Sequence, residues 1–507
     1  MKRLLIILPC FFISFFVMGK IYNNDLILVK SYPADAEKYQ TCQGNISLIF
    51  NKEIQFENIY SILLDGIFVN GSIDRKTLII PYNSLIQGTD HVLTVKKDAL
   101  VGKDSSLVEK NINIHFRTIQ QPVVKRKQLP DFIVDNTDGK TFTEAIEAAN
   151  NTTKEGRFII FVKKRVEGYD IGFKDYGEAF KSHSYRPQYG AILCRDKVSI
   201  IGEDNGNTSI YHRSIREGIN STAVLVLDST ANNFYMQDIA VKNTMPFVGD
   251  PTRAVTIQEK SSHNIYKSVR MISGQDTYYT QNTKTYLEDC EIHGTIDFIC
   301  GSGDVFFKNT LLYEGSWPGN MLTAHNGRNC KYGYVFDHCT VAGEQGFYYG
   351  RPWYNYCKTV FLHTMLNATP YLQGWNDPIH PAPDASLEEY DNRNSENTFY
   401  SIRGKALSAS EAAVYTIENV LGYDDNWRPA QYTLQSPSPS DIHLFGNHLQ
   451  WQDNNKVLYW AIVKDGNVID FTTQNAYFLI SPGKYSVRAA NLMGGLGSAS
   501  IEISFRQ

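Results

Sequence analysis

The sequence predicts an all-β protein, a parallel β-helix flanked by two small β-sandwich modules. Three observations carry this expectation. Short apolar strands recur between residues 234 and 364, each followed by a polar residue and then by a β-branched residue or a cysteine. Their spacing is irregular, 20 to 30 residues, with no helical pattern between them, which is what coils of a parallel β-helix produce. Both ends of the chain instead show period-2 alternation broken by turn residues, the mark of antiparallel strands. At 507 residues the chain exceeds one ordinary core, so two to four domains are expected.

The N-terminus is Met1-Lys2-Arg3, an apolar run from Leu4 to Met18, then Gly19 and Lys20. A positive start, a short apolar core and a small residue describe an export signal over 1–19. The expected location is therefore exported: periplasmic, cell-surface or secreted. The run is slightly short for a membrane span, and none is expected after signal removal; a retained anchor is the alternative. Cys10 lies inside the run without a lipid-attachment pattern.

Residues 30–118 alternate through Ile46-Ser47-Leu48-Ile49-Phe50, Lys76-Thr77-Leu78-Ile79-Ile80 and His91-Val92-Leu93-Thr94-Val95, with Asp65-Gly66 and Asn70-Gly71 as turns. This predicts a β-sandwich, and the layout resembles bacterial Ig-like modules. Residues 119–130, with Pro122 and Lys125-Arg126-Lys127, read as a linker. The β-helix domain is expected over 131–432. It opens with a capping box, Thr141 to Glu144, and a helix burying Phe142, Ala145, Ile146 and Ala149. Strands Phe158–Val162 and Val198–Gly202 bracket a polar stretch, 171–190, read as an inserted loop. The polar positions of the repeat are then 238, 268, 289, 309, 338 and 363. Stacking of equivalent positions places Cys290 and Cys339 in the interior. A β-propeller, the other repeat architecture weighed, needs longer four-stranded repeats. The last unit, 436–507, carries Val457–Val463 and Tyr485–Ala489 as strands and is similar to a fibronectin type III module.

Composition narrows the chemistry. A net charge of -4 excludes nucleic acid as the natural partner. One of eight cysteines lies in the apolar run, and the odd number left forms no regular disulfide framework. His325, Cys330, His338 and Cys339 lack any CxxC pairing and read as stacked core residues, so no metal and no cofactor is expected.

Three segments hold the residues suited to catalysis: Gly274-Gln275-Asp276-Thr277-Tyr278-Tyr279, Gly294-Thr295-Ile296-Asp297-Phe298-Ile299-Cys300-Gly301 and Gly350-Arg351-Pro352-Trp353. The aspartates are 297 − 276 = 21 residues apart, one coil, so they should stack at roughly the 4.8 Å strand spacing. Close carboxylates push their pKa values apart, and an arginine holds one of them ionised. In this order on a β-helix, the segments resemble the pectin methylesterases, over about 131–432. The resemblance implies a right-handed helix and metal-free hydrolysis of the C6 methyl ester of galacturonate units in pectin, a methylated homogalacturonan. It further implies Asp297 as nucleophile and Asp276 as acid, then base. Arg351 would hold the nucleophile, Gln275 would donate to the oxyanion, and Trp353 and Trp375 would line the sugar cleft.

Three departures stand out. A second glutamine of the family would fall at Arg253, since 275 − 253 = 22 is again about one coil. A cleft-facing Arg253 would contact substrate and pull the pKa of Asp276 down; an outward-turned side chain would not. Glu167-Gly168-Tyr169-Asp170 replaces a GxYxE-like segment, and Cys300 replaces an aromatic residue. The alternative function is a catalytically impaired carbohydrate-binding protein on the same fold. A β-helix polysaccharide lyase would need an acidic calcium cluster or a lyase-type base, and neither stands out.

Overall fold

The computed structural model describes residues 25–137, 139–172, 189–214, 217–245, 252–376, 384–395 and 397–506. The expected export signal and most of the 171–190 loop lie outside these residues. No helix among the described residues is long and apolar enough to cross a membrane.

The centre of the molecule is a parallel β-helix with three faces. The first face stacks Phe132–Val134, Phe158–Val162, Val198–Gly202, Tyr235–Gln237, Asn264–Lys267, Tyr334–Asp337, Lys358–Leu362 and Ser386–Tyr390. The second has eight strands, from Tyr169–Asp170 to Met365–Leu366. The third runs from Ala191–Leu193 through Leu225–Leu227 and Ile257–Glu259 to Asn320–His325 and Phe347–Pro352. Two long strands, Tyr278–Glu288 and Ile299–Lys308, bend across the corner between the third face and the first, joining both into one sheet. Pairing between successive coils is parallel on all three faces.

The polar positions of the repeat have a common backbone role. Asp238, Ser268, Asp289, Asn309, His338 and His363 all adopt left-handed conformations, φ 50 to 56. Each forms the corner where the chain leaves the first face for the second. A left-handed turn costs least with a short polar side chain that bonds locally, and β-branched residues avoid it. The residue after each corner points inward, which buries Cys290 and Cys339 at 1% exposure. Above them, Phe307, Phe336 and Phe361 stack with centroids 4.3 Å apart. The helix Phe142–Asn151, with its Thr141–Glu144 capping box, buries Phe142, Ala145, Ile146 and Ala149 over the first coil. It covers a sheet end that would otherwise offer unpaired backbone.

The N-terminal unit places a four-stranded and a five-stranded sheet around one core that includes Ile46, Leu48, Leu78, Leu93 and Phe116. The C-terminal unit has sheets of three and five strands around Trp451, Trp460 and Val487. It packs onto the outer side of the first face: Phe471 meets Phe161 edge-on at 4.8 Å, and Val468 N donates to Glu203 at 2.7 Å. The segment 409–433 covers more of that face with Ile417, Val420 and Leu421. Residues 119–130 are packed into the same layer instead of forming a free tether. Ile119 and Val124 are buried, Val124 N donates to Asn455 O at 2.8 Å, and Lys127 pairs with Asp453 at 2.5 Å. All of this covering lies on the first face, and the outer side of the third remains for chemistry.

Candidate active site

Asp276 and Asp297 occupy equivalent corners, where the second face turns into the third, and both are left-handed, with φ 60 and 50. Tyr278 pairs with Ile299 in the next coil, and Asp276 N donates to Ile296 O at 3.2 Å. The 21-residue offset is therefore the register itself, and the two carboxylates belong to adjacent rungs. Thr277 tightens the corner, its Oγ1 donating to Gly274 O at 3.1 Å and lying 2.8 Å from His293 O. Gly294 is required by close approach, since a Cβ there would lie 2.7 Å from Gly274 O.

Arg351 comes from two coils further on. It pairs with Ala324, which pairs with Cys300 in the column of Tyr279. The small side chain on the intervening rung leaves room for the guanidinium to reach back to Asp297. A Cβ at Gly350 would lie 2.0 Å from Thr323 Oγ1, so the strand bearing Arg351 can approach only as glycine. Arg351 Nε donates to Asp297 Oδ1 at 3.0 Å and Oδ2 at 3.1 Å, and Nη2 donates to Oδ2 at 2.5 Å.

Both aspartates are 4% exposed, yet only one has the guanidinium. Burial, then the neighbouring Asp297 charge, pushes Asp276 up to about 8. Burial raises Asp297 as well, but the Arg351 hydrogen bonds and charge oppose the rise. Arg351 therefore favours the ionised form of Asp297, while Asp276, without such a partner, is the one favoured to hold the proton.

Trp353 is half-buried at the edge of the third face, 6.1 Å from the Tyr279 ring and 6.3 Å from Tyr354. Val226, Val255, Tyr279 and Ala324 form the floor beside it. Gln275 is half-buried next to Asp276, and a backbone bridge sets Arg253 beside it at the expected offset.

One expectation changes. Trp375 does not line a cleft: it is 1% exposed, packs on Tyr349 and Phe361, and donates its indole N–H to Glu389 at 2.7 Å. Its strand position turns the ring into the coil interior, where the carboxyl partner satisfies it. The expected downward pull of Arg253 on Asp276 is present but does not decide its net shift. Arg253 makes a two-pronged pair with Glu217, at 2.7 and 2.6 Å, with both side chains 44% exposed. Its charge still lowers Asp276, but burial and Asp297 outweigh it, and Glu217 acts in the opposite direction. His325 and Cys330 pack internally, with His325 Nδ1 accepting from Lys358 N and Cys330 Sγ from Gly303 N.

Glu217 and Tyr279 escaped sequence reading as site residues. Tyr279 carried a usable signal, because it alternates with the inward Tyr278 and so lies on the outer side of the strand, beside Trp353. Glu217 carried none: it lies 36 residues before Arg253 on another coil.

Against this geometry, a family model described as Pectinesterase matches residues 133–422. The probable pectinesterase/pectinesterase inhibitor 21 of Arabidopsis thaliana is 28% identical over 268 residues, covering 48% of this chain and 36% of that protein. The putative pectinesterase/pectinesterase inhibitor 22 of the same plant is 30% identical over 250 residues, covering 47% and 42%. The match thus spans about two-fifths of the length of these relatives. Among solved structures, pectin methylesterase from carrot superposes with a TM-score of 0.51 at 20% identity, covering 61% of this chain and 98% of that one. That likeness concerns the fold.

Proposed function

The chain belongs to the pectinesterase family, and from that premise we propose that it hydrolyses the C6 methyl esters of galacturonate units in pectin, releasing methanol. The observation that carries this reading is the asymmetry of the aspartates: Asp297 is held by Arg351, and Asp276 is raised to about 8 without such a partner.

In the proposed reaction, an Asp297 carboxylate oxygen attacks the ester carbonyl carbon. The C–O bond to methanol breaks as Asp276 gives its proton to the departing oxygen. This leaves an acyl-enzyme anhydride on Asp297 and an ionised Asp276. Asp276 then takes a proton from water, whose oxygen attacks the same carbon, and Asp297 leaves as carboxylate. The Gln275 amide donates to the oxyanion in both steps, a contribution of a few kcal/mol in comparable sites. Trp353 offers a ring face to the sugar. The N-terminal Lys2-Arg3 and the apolar run after them support action outside the cytoplasm.

The test is methanol release from highly methylated pectin by the purified protein and by Asp297→Ala. Wild-type release with a loss of at least about a thousandfold in the variant is expected for a covalent nucleophile. Pectin binding without methanol release by the wild type would instead establish the carbohydrate-binding alternative.

A further inference from the structure

Four successive corners between the first and second faces carry short polar residues, Asp238, Ser268, Asp289 and Asn309, and the next two carry His338 and His363. Both imidazoles turn onto one carboxylate. His338 Nδ1 lies 2.8 Å and His363 Nδ1 2.9 Å from Asp337 Oδ1. A donor atom from each of the three residues falls within 4.8 Å of the others. The carboxyl is nearly buried, at 13% exposure, while the imidazoles are 42% and 23% exposed. They border a cavity of ≈ 920 Å³ between the β-helix and the N-terminal unit, whose lining includes Tyr82, Asp74 and Tyr390. An ion could enter there and keep water on its remaining positions.

We propose that Asp337, His338 and His363 form a binding site for a divalent transition-metal ion such as Zn2+, remote from the corner of Asp276 and Asp297. Two imidazoles and one carboxylate suit Zn2+, Ni2+ or Cu2+, whereas Ca2+ and Mg2+ take oxygen donors. Donors about 2.1 Å from an ion sit roughly 3.0 to 3.4 Å apart in octahedral or tetrahedral arrangements. The two His–Asp337 separations need only a small expansion, and the two imidazole donors already lie within 4.8 Å of each other.

One group competes with the ion. Lys308 Nζ donates to Asp337 Oδ2 at 2.7 Å and lies 3.4 Å from His338 Nδ1. Its ammonium already sits against the donors as a monovalent substitute, at 10% exposure. Binding must displace it or bear its repulsion, so the wild-type affinity is set partly by Lys308.

The experiment is calorimetric titration of the chelator-treated full chain with Zn2+, alongside Co2+ absorption spectra as a report of imidazole ligation. One equivalent of Zn2+ is expected, with a rise in melting temperature, since the ion binds the folded state. His363→Gln keeps a hydrogen-bond donor for Asp337 but removes the imidazole, and should weaken binding by about tenfold or more. His338→Ala should do the same. Lys308→Met should tighten binding by about tenfold, because a repelling charge is gone. Wild-type protein that binds Zn2+ no better than the His338→Ala/His363→Gln double variant would overturn the proposal. So would a Lys308→Met protein, folded by circular dichroism, whose affinity is unchanged or weaker.

Discussion

Replacing Arg351 with glutamine tests the charge asymmetry at its source. The substitution removes three short contacts to a carboxyl that is 4% exposed. Stripping the partner from a buried charge costs about 3–5 kcal/mol. Asp297 can relieve that cost by taking up a proton, so its pKa rises further. In the proposed reaction the productive state has Asp297 ionised and Asp276 protonated, so activity should appear above the pKa of Asp297 and fade as pH passes about 8. The variant raises the lower edge of that window toward the upper one, and the shared proton loses its preference for Asp276. We expect kcat/KM for methanol release to fall by about 10²–10³ at neutral pH, with the acid limb of the profile displaced upward. Arg351→Lys, which keeps a charge but not the fork, should fall between. An Arg351→Gln enzyme with turnover within about threefold of wild type and an unmoved acid limb would refute the reasoning.

Three further outcomes are expected. The raised pKa of Asp276 means that its protonated form favours folding; that contribution is complete below about 4, the unfolded value, and is lost as pH rises toward about 8. Asp276→Asn should therefore gain stability over wild type progressively across that window in denaturant titrations, and a constant difference from pH 4 to 9 would contradict it. Arg253→Gln should move the alkaline limb of activity up and Glu217→Gln should move it down, because the two charges act on Asp276 in opposite directions; equal shifts of one sign would exclude this coupling. Trp353→Ala should raise KM with little change in melting temperature, whereas Trp375→Ala should cost about 3–5 kcal/mol of stability, as deletion of a core aromatic does.

The β-helix was readable because its corners impose a rule on residue type. A left-handed turn followed by an inward residue leaves a polar-then-apolar signature at each coil, whatever the loop lengths between. The aspartate pair was readable for the same reason, since register converts a difference of 21 into adjacency. Trp375 shows where this stops: a tryptophan near a motif can face either side of a strand, and only the position of Glu389 decides that its N–H has a partner inside. Glu217 marks another limit. A side chain reaching from a separate coil leaves no trace in spacing, so the partner of Arg253 could not be inferred. The packing of residues 119–130 was hidden too, because proline and basic residues suit a strap packed by a few side chains such as Ile119 and Val124 as well as a free linker.

The layer over the first face has a practical consequence for anyone dissecting the protein. Phe161, Ile201, Tyr235 and Val335 point outward from the first face and are covered by residues from 119–130, 409–433 and the C-terminal unit. Each large apolar side chain returned to water costs roughly 1.5–3 kcal/mol, and together they would leave a broad, flat, greasy sheet. A fragment cut to 131–400 would keep every residue of the candidate site and still expose that sheet. Such a truncation should be recovered from expression as insoluble material, whereas one that retains 119–506 should remain in solution.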